Sequence, residues 1–257
     1  MRIAIITGAS SGLGAEYARL LAKDPGLEEI WLIARRRERL EALGRSLPLP
    51  CRLLPLDLTQ EESLQQVQKR LQQAGNLTID WLINAAGFGR IGSCETIGAA
   101  TTARMIDLNC RAAVLLTEIC LPHMEKGAHI LEICSCAAFQ PIAYLTAYAA
   151  TKAFLLRYSR GLQAELKPRG ISVTAVCPYW IRDTEFIAGA RETDHEGLFH
   201  GFPLATDKHT VARRSLQAAR NGHAICTPDL VATLDRFFGA LVPDALILHL
   251  VNLYRHL

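Results

Sequence analysis

Short apolar runs alternate with longer segments of helical periodicity along most of the chain, and this alternation constrains the fold more than any other feature. The runs are Arg2–Thr7, Glu29–Ala34, Cys51–Pro55, Ile79–Asn84, His129–Cys134, Ser172–Cys177 and His223–Cys226. Amphipathic segments lie near Gly14–Lys23, Glu38–Ser46, Glu61–Gln73, Thr101–His123, Ala147–Leu166 and Val211–Ala219. Repeated strand–helix–strand units build a parallel sheet. The order therefore predicts an α/β fold, with a doubly wound parallel sheet of seven strands and helices on both faces. Thr59 and Glu62 have capping-box spacing, which predicts the start of the third helix. At 257 residues, with no repeat or linker, the chain reads as a single domain. The longest irregular stretch, about 178–210, is expected to be a lid or binding loop.

Composition removes several function classes. A net charge of +3 is too mild for a nucleic-acid surface, and the only dense basic run is Arg35, Arg36, Arg37 and Arg39. The cysteines Cys51, Cys94, Cys110, Cys120, Cys134, Cys136, Cys177 and Cys226 form no CxxC pair and no His spacing for zinc. Buried free thiols, no metal and a reducing cytoplasm are expected. Met1 passes directly into an apolar run without signal-peptide features. Phe237 to Leu253 is interrupted by Pro243, Asp244 and His249, which predicts packed C-terminal helices or an oligomer contact and no membrane span. His195, His200 and His209 lack metal-ligand spacing and read as surface polar residues.

The first run leads into Thr7-Gly-Ala-Ser-Ser-Gly-Leu-Gly14, at the opening of the first helix. Glycines there allow a tight turn and let backbone N–H groups approach a pyrophosphate, although Gly8, Gly12 and Gly14 do not match GxGxxG. Four further features follow in order. Asn84-Ala85-Ala86-Gly87 ends the fourth strand, Asn109 lies in the next helix, Ser135 follows the fifth strand, and Tyr148-Ala-Ala-Thr-Lys152 opens a helix. Singly, Asn109 reads as polar surface, Ser135 as a cap and Tyr148 as packing. At their mutual spacing they resemble the short-chain dehydrogenase/reductase family over residues 2 to about 185.

That resemblance implies a Rossmann-type fold and hydride transfer between a nicotinamide cofactor and a carbonyl or alcohol. It makes Tyr148 the proton donor in reduction and the base in oxidation. Lys152 would hold the nicotinamide ribose, Ser135 would bond the substrate oxygen, and Asn109 would hold a water linking Lys152 to solvent. Tyr148 and Lys152 are four apart on one helix face. A nearby ammonium favours phenolate, so a lowered tyrosine pKa is expected. Gly8, Ser10, Ser11, Gly12, Leu13 and Gly14 would cradle the cofactor, Asp57 and Leu58 would meet the adenine, and Asn84 to Gly87 would line the cleft.

No acid follows the second strand; Arg35 and Arg36 stand there, which favours NADP(H) over NAD(H). The family's sixth strand commonly ends in Pro-Gly with a threonine five residues after the proline. Here Tyr179 replaces the glycine and Thr184 sits one residue late, so a one-residue insertion beside Pro178, Ile181 and Thr184 is expected. Tyr179, Trp180, Phe186, Phe199, Phe202, Phe139 and Tyr144 are candidates for an apolar pocket taking a medium or large ketone, steroid-like or acyl. The resemblance further implies a homodimer or homotetramer. Competing readings are a same-fold epimerase or dehydratase, for which the residues after Pro178 leave little room, and a dinucleotide-sensing protein without turnover.

Overall fold

A computed structural model describes residues 1–195, 197–199 and 201–255, with side chains through His249; His200 therefore lies outside the described residues. The elements in chain order are β1 (Arg2–Thr7), α1 (Gly12–Leu21), β2 (Glu29–Ala34), α2 (Arg37–Ser46), β3 (Cys51–Pro55), α3 (Glu61–Gln73) and β4 (Thr78–Asn84). Next come α4 (Cys94–Ile97), α5 (Ala99–Ile106), a π-helical segment (Asp107–Ala112), α6 (Ala113–Cys120), β5 (His129–Ile133), α7 (Thr146–Leu166) and β6 (Ser172–Val176). The chain continues with α8 (Phe186–Ala190), α9 (Lys208–Arg220), β7 (Ile225–Cys226), α10 (Leu230–Leu241) and α11 (Asp244–Arg255).

The strands form one parallel seven-stranded sheet in the order β3-β2-β1-β4-β5-β6-β7. Both faces are covered, which is why the strands read as continuous apolar runs. Ala4 and Ile6 of β1, with Ile30 and Leu32 of β2, pack under α1, α2 and α9, while Ile3, Ile5, Trp31 and Ile33 point the other way toward α3, α6 and α7. Strand order reverses between β1 and β4, so the chain leaves those two strands in opposite directions and a crevice opens beyond their C-terminal ends.

Two expectations are corrected and a third is narrowed. The helix expected over Thr101–His123 is α5, the π-helical segment and α6 in succession, closed by a 3₁₀ turn at Leu121–His123. The capping box does not form: α3 starts at Glu61 after Gln60, and Thr59 instead bonds Asp57 Oδ1 through its backbone N–H (3.1 Å) and its hydroxyl (2.8 Å). Of the two readings of the C-terminal helices, complete packing within the chain is the one that does not hold, because Leu230, Leu234, Phe237, Phe238, Leu241, Leu246 and Leu248 are exposed. The stretch 178–210 holds α8, a 3₁₀ turn at Arg191–Thr193 and a bridge from Ile181 to Thr206. His209 is an exposed surface residue as expected, and its Nδ1 meets Glu16 Oε1 at 2.8 Å. Among the described residues no helix is long and apolar enough to cross a membrane.

Candidate active site

The crevice at the strand reversal is a cleft of about 1160 Å³. Its floor is backbone. Gly8 (φ +65°) packs so closely that a Cβ there would lie 2.8 Å from Ala85 O, and a Cβ on Gly14 would lie 2.4 Å from Gly8 O. Thr7 Oγ1 accepts from Ala86 N–H at 2.9 Å and locks the ends of β1 and β4 together. The result is a cradle without side chains at the N-terminus of α1, where unpaired N–H groups and the helix dipole favour an anion. A dinucleotide diphosphate fits that chemistry. Gly8, Ser10, Ser11, Gly12, Leu13, Gly14, Arg35, Arg36, Asp57, Leu58, Ala85, Ala86, Gly87, Pro178, Ile181 and Thr184 all line the cleft.

One end is basic. Arg36 donates to Ser10 Oγ (3.2 and 3.0 Å) and to Ser11 Oγ (2.7 Å), which seats its guanidinium on the glycine-rich turn, while Arg35 is exposed. Arg36 also donates to Glu185 at 2.8 Å, and Arg39 donates to the same carboxylate. These two guanidinium groups, Arg39 foremost, hold the Glu185 carboxyl at about 2, well below its ordinary value. The pairing spans 149 positions, so nothing local in the sequence signals it.

The other end carries the titratable groups. Ser135 leaves β5, accepts from Ala137 N–H at 3.2 Å and lines the cleft together with Tyr148. Tyr148 and Lys152 lie on the buried face of α7, with Lys152 Nζ 5.7 Å from the Tyr148 ring centroid. Lys152 Nζ donates to Ile133 O at 2.6 Å. The expected lowering of the tyrosine pKa is not what the geometry yields. Burial pushes the Tyr148 hydroxyl above its ordinary value, against the Ser135 hydrogen bond that lowers it. Burial likewise lowers Lys152. Desolvation outweighs the neighbouring charge because the lysine faces the ring and a carbonyl.

Two candidates lie behind the cleft wall rather than on it. Asn109, in the π-helical segment, is 1% exposed; its Nδ2 donates to Phe88 O (2.9 Å) and Thr151 Oγ1 (3.1 Å), and its Oδ1 accepts from Phe88 N–H (3.0 Å). The amide ties the segment after β4 to α7. Asn84 points into the sheet layer, where Nδ2 donates to Glu132 Oε1 (2.7 Å), Thr117 Oγ1 (2.9 Å) and Ala113 O (3.3 Å). Glu132 is fully buried, and burial raises its carboxyl to about 8. Its Oε2 and Asn84 Oδ1 have no partner among the described residues. Sequence reading passed over Glu132 because a lone acid in an apolar run carries no motif.

Beyond Tyr148 the cleft is aromatic. Tyr179, Trp180, Phe186, Phe199 and Phe202 line it, whereas Phe139 and Tyr144 do not. Phe139 instead supports α10, approaching within 2.7 Å of a Cβ placed on Gly239. Trp180 and Phe202 rings meet at 3.9 Å and Tyr148 and Phe186 at 5.4 Å. Gly89 lets the Tyr148 ring sit against the loop, since a Cβ there would lie 2.9 Å from Tyr148 Cδ2 and 3.0 Å from Phe186 Cζ. Arg90 donates to Gly189 O (2.8 Å) and Glu192 Oε2 (2.6 Å), joining that loop to α8. Asp229 caps α10 and accepts from Tyr179 N–H at 3.0 Å, which anchors the stretch after β6.

The family model for short chain dehydrogenase matches residues 2–195. The chain belongs to this family. An uncharacterized oxidoreductase of Staphylococcus aureus (strain USA300) is 30% identical over 201 residues, 77% of this chain and 85% of that one. A short-chain dehydrogenase from Sphingobium yanoikuyae, in complex with NADPH, superposes with TM-score 0.78 and 32% identity over 93% of each chain. The bulky-bulky ketone specific alcohol dehydrogenase from Comamonas testosteroni superposes with TM-score 0.73 and 28% identity, over 95% of this short-chain dehydrogenase and 96% of that chain.

Proposed function

We propose that the protein is an NADP(H)-dependent oxidoreductase that interconverts a carbonyl and a secondary alcohol, with Tyr148, Ser135 and Lys152 as its catalytic groups. The observation that carries this reading is that Ser135, Tyr148 and Lys152 line one cleft whose far end holds Arg36 on the glycine-rich turn. When bound, the dinucleotide supplies or accepts the hydride. Gly8 to Gly14 hold its diphosphate, Lys152 its nicotinamide ribose, and Asp57 and Leu58 its adenine.

Tyr148 holds its proton at the hydroxyl oxygen, because burial disfavours the phenolate. In reduction it gives that proton to the alkoxide developing on substrate, and Ser135 donates to the same oxygen as charge builds there. Lys152 then stabilises the negative charge left on Tyr148. Asn109 is a positioning residue, holding the Phe88 backbone and Thr151 in place around Gly87.

The aromatic wall of Trp180, Phe186, Phe199 and Phe202 supports a medium or large apolar ketone, with residues 178–210 as the substrate loop. The bulky-bulky ketone specificity of the Comamonas relative agrees with that size. The exposed apolar residues of α10 and α11 favour a homo-oligomer, and eight free cysteines agree with a cytoplasmic location. The first experiment titrates the protein with NADPH and with NADH, following the fluorescence of Trp31, Trp81 and Trp180, then screens carbonyl compounds against wild type and Tyr148→Phe. NADPH binding at least about tenfold tighter, ~1.4 kcal/mol, with turnover of bulky ketones lost in the variant, supports the assignment. Tighter NADH overturns the cofactor choice, and binding of neither removes the dinucleotide reading.

A further inference from the structure

Glu185 ends the segment that follows β6 and begins α8, yet its carboxylate lies across the cleft beside the glycine-rich turn. Both oxygens are engaged there: Oε2 accepts from Arg36 Nη1 at 2.8 Å and Oε1 accepts from Arg39 Nη1. The rest of the Arg36 guanidinium is committed to the hydroxyls of Ser10 and Ser11. The neighbouring Thr184 reaches Gly12, where a Cβ would lie 3.5 Å from the threonine methyl. Two guanidinium groups converging on one oxyanion, next to backbone N–H groups at a helix N-terminus, constitute an anion site. In this chain that site is filled by the protein's own carboxylate.

We propose that Glu185 is an internal competitor for the cofactor's 2′-phosphate, and that Arg39 joins Arg36 in gripping that phosphate once Glu185 yields. The inference rests on the NADP(H) reading above. A phosphate drawn to Arg36 and a carboxylate already on it are like charges on one partner and do not share it at close range. A ribose 2′-hydroxyl carries no charge and leaves the Glu185 pairs intact. The carboxylate therefore subtracts from the affinity of the phosphorylated cofactor and spares the unphosphorylated one, so the discrimination between them is smaller than the arginines alone would set. It also couples occupancy to the substrate loop, because releasing Glu185 frees the N-terminal end of α8 from α2.

Calorimetric titration with two cofactor fragments separates the possibilities. Adenosine 2′,5′-bisphosphate carries the phosphate in question, and adenosine 5′-monophosphate lacks it. Glu185 is 54% exposed, so Glu185→Gln removes the charge with little disturbance to the fold. The variant is expected to bind the bisphosphate about threefold to tenfold more tightly than wild type, the range that one or two exposed charge pairs support. Its affinity for the monophosphate is expected to stay within about twofold of wild type. Arg39→Met in the Glu185→Gln background is expected to cancel the gain. If wild type prefers the bisphosphate and Glu185→Gln does not strengthen that preference, the competitor role is overturned while the NADP(H) reading stands. If neither protein prefers the bisphosphate, the NADP(H) reading fails and the competitor role goes with it.

Discussion

Tyr148 is held by contacts that leave it little freedom: Phe186 meets its ring and Gly89 lies directly against it. Two predictions belong at this scale. Tyr148→Phe removes the proton donor and keeps the ring, so kcat/KM is expected to fall by about 10²–10⁴ with cofactor affinity unchanged. Steady-state kinetics paired with a binding titration checks this, and a variant that keeps wild-type turnover would remove Tyr148 from the mechanism. Gly89→Ala places a methyl 2.9 Å from Tyr148 Cδ2 and 3.0 Å from Phe186 Cζ. One of those rings must shift, and a displacement near the reacting centre is expected to lower kcat by about tenfold to a hundredfold, with NADPH affinity kept. Parallel losses of kcat and cofactor affinity would point to collapse of the loop instead.

At the scale of elements, β4, β5 and α6 are joined by a polar network inside an otherwise apolar layer. Asn84 and Glu132 are register partners on adjacent strands, and Thr117 of α6 donates to Glu132 Oε1 at 3.0 Å. Asn84 Oδ1 and Glu132 Oε2 are both acceptors, so a proton on the carboxyl suits the site better than an anion. Burial raises this carboxyl from 4.5 to about 8. A raised folded-state value means that the stabilising contribution is full below the unfolded value and fades as pH rises toward 8. Glu132→Gln supplies donors at every pH and removes this dependence. Relative to wild type the variant is expected to gain stability between pH 5 and pH 8, by on the order of 1 kcal/mol per pH unit. Urea midpoints of both proteins at the two ends of that window decide it, and parallel curves would show that Glu132 is already ionised in the folded protein. The π-helical segment is a second element-scale device, since its extra residue brings Asn109 round to Phe88 and Thr151.

For the whole molecule, the cleft is assembled from the C-terminal ends of β1 to β5, the start of α1, the buried face of α7 and the segment after β6. A ligand spanning it stabilises the folded state by mass action. NADPH at about a hundred times its Kd is expected to add about 2.7 kcal/mol, which raises Tm by roughly 5–10 °C for a chain of this size. Thermal scans with NADPH and NADH at equal concentration measure this, and a larger shift with NADH reverses the order expected from Arg36.

The strand–helix alternation was legible in the sequence because a parallel sheet covered on both faces demands continuous apolar strands and one-sided helices. The glycine-rich turn and the Tyr148–Lys152 spacing were legible because each lies within a few residues of chain. What only the tertiary structure decided depends on groups distant in sequence. The Glu185 pairs with Arg36 and Arg39, the Glu132–Asn84 partnership and the reach of Asn109 to Phe88 and Thr151 join separate elements. The direction of the Tyr148 shift was likewise set by burial, which is a property of the packed molecule and not of the helix that carries the residue. Local spacing specifies which groups share a face; desolvation and the partners waiting across the cleft determine how they behave.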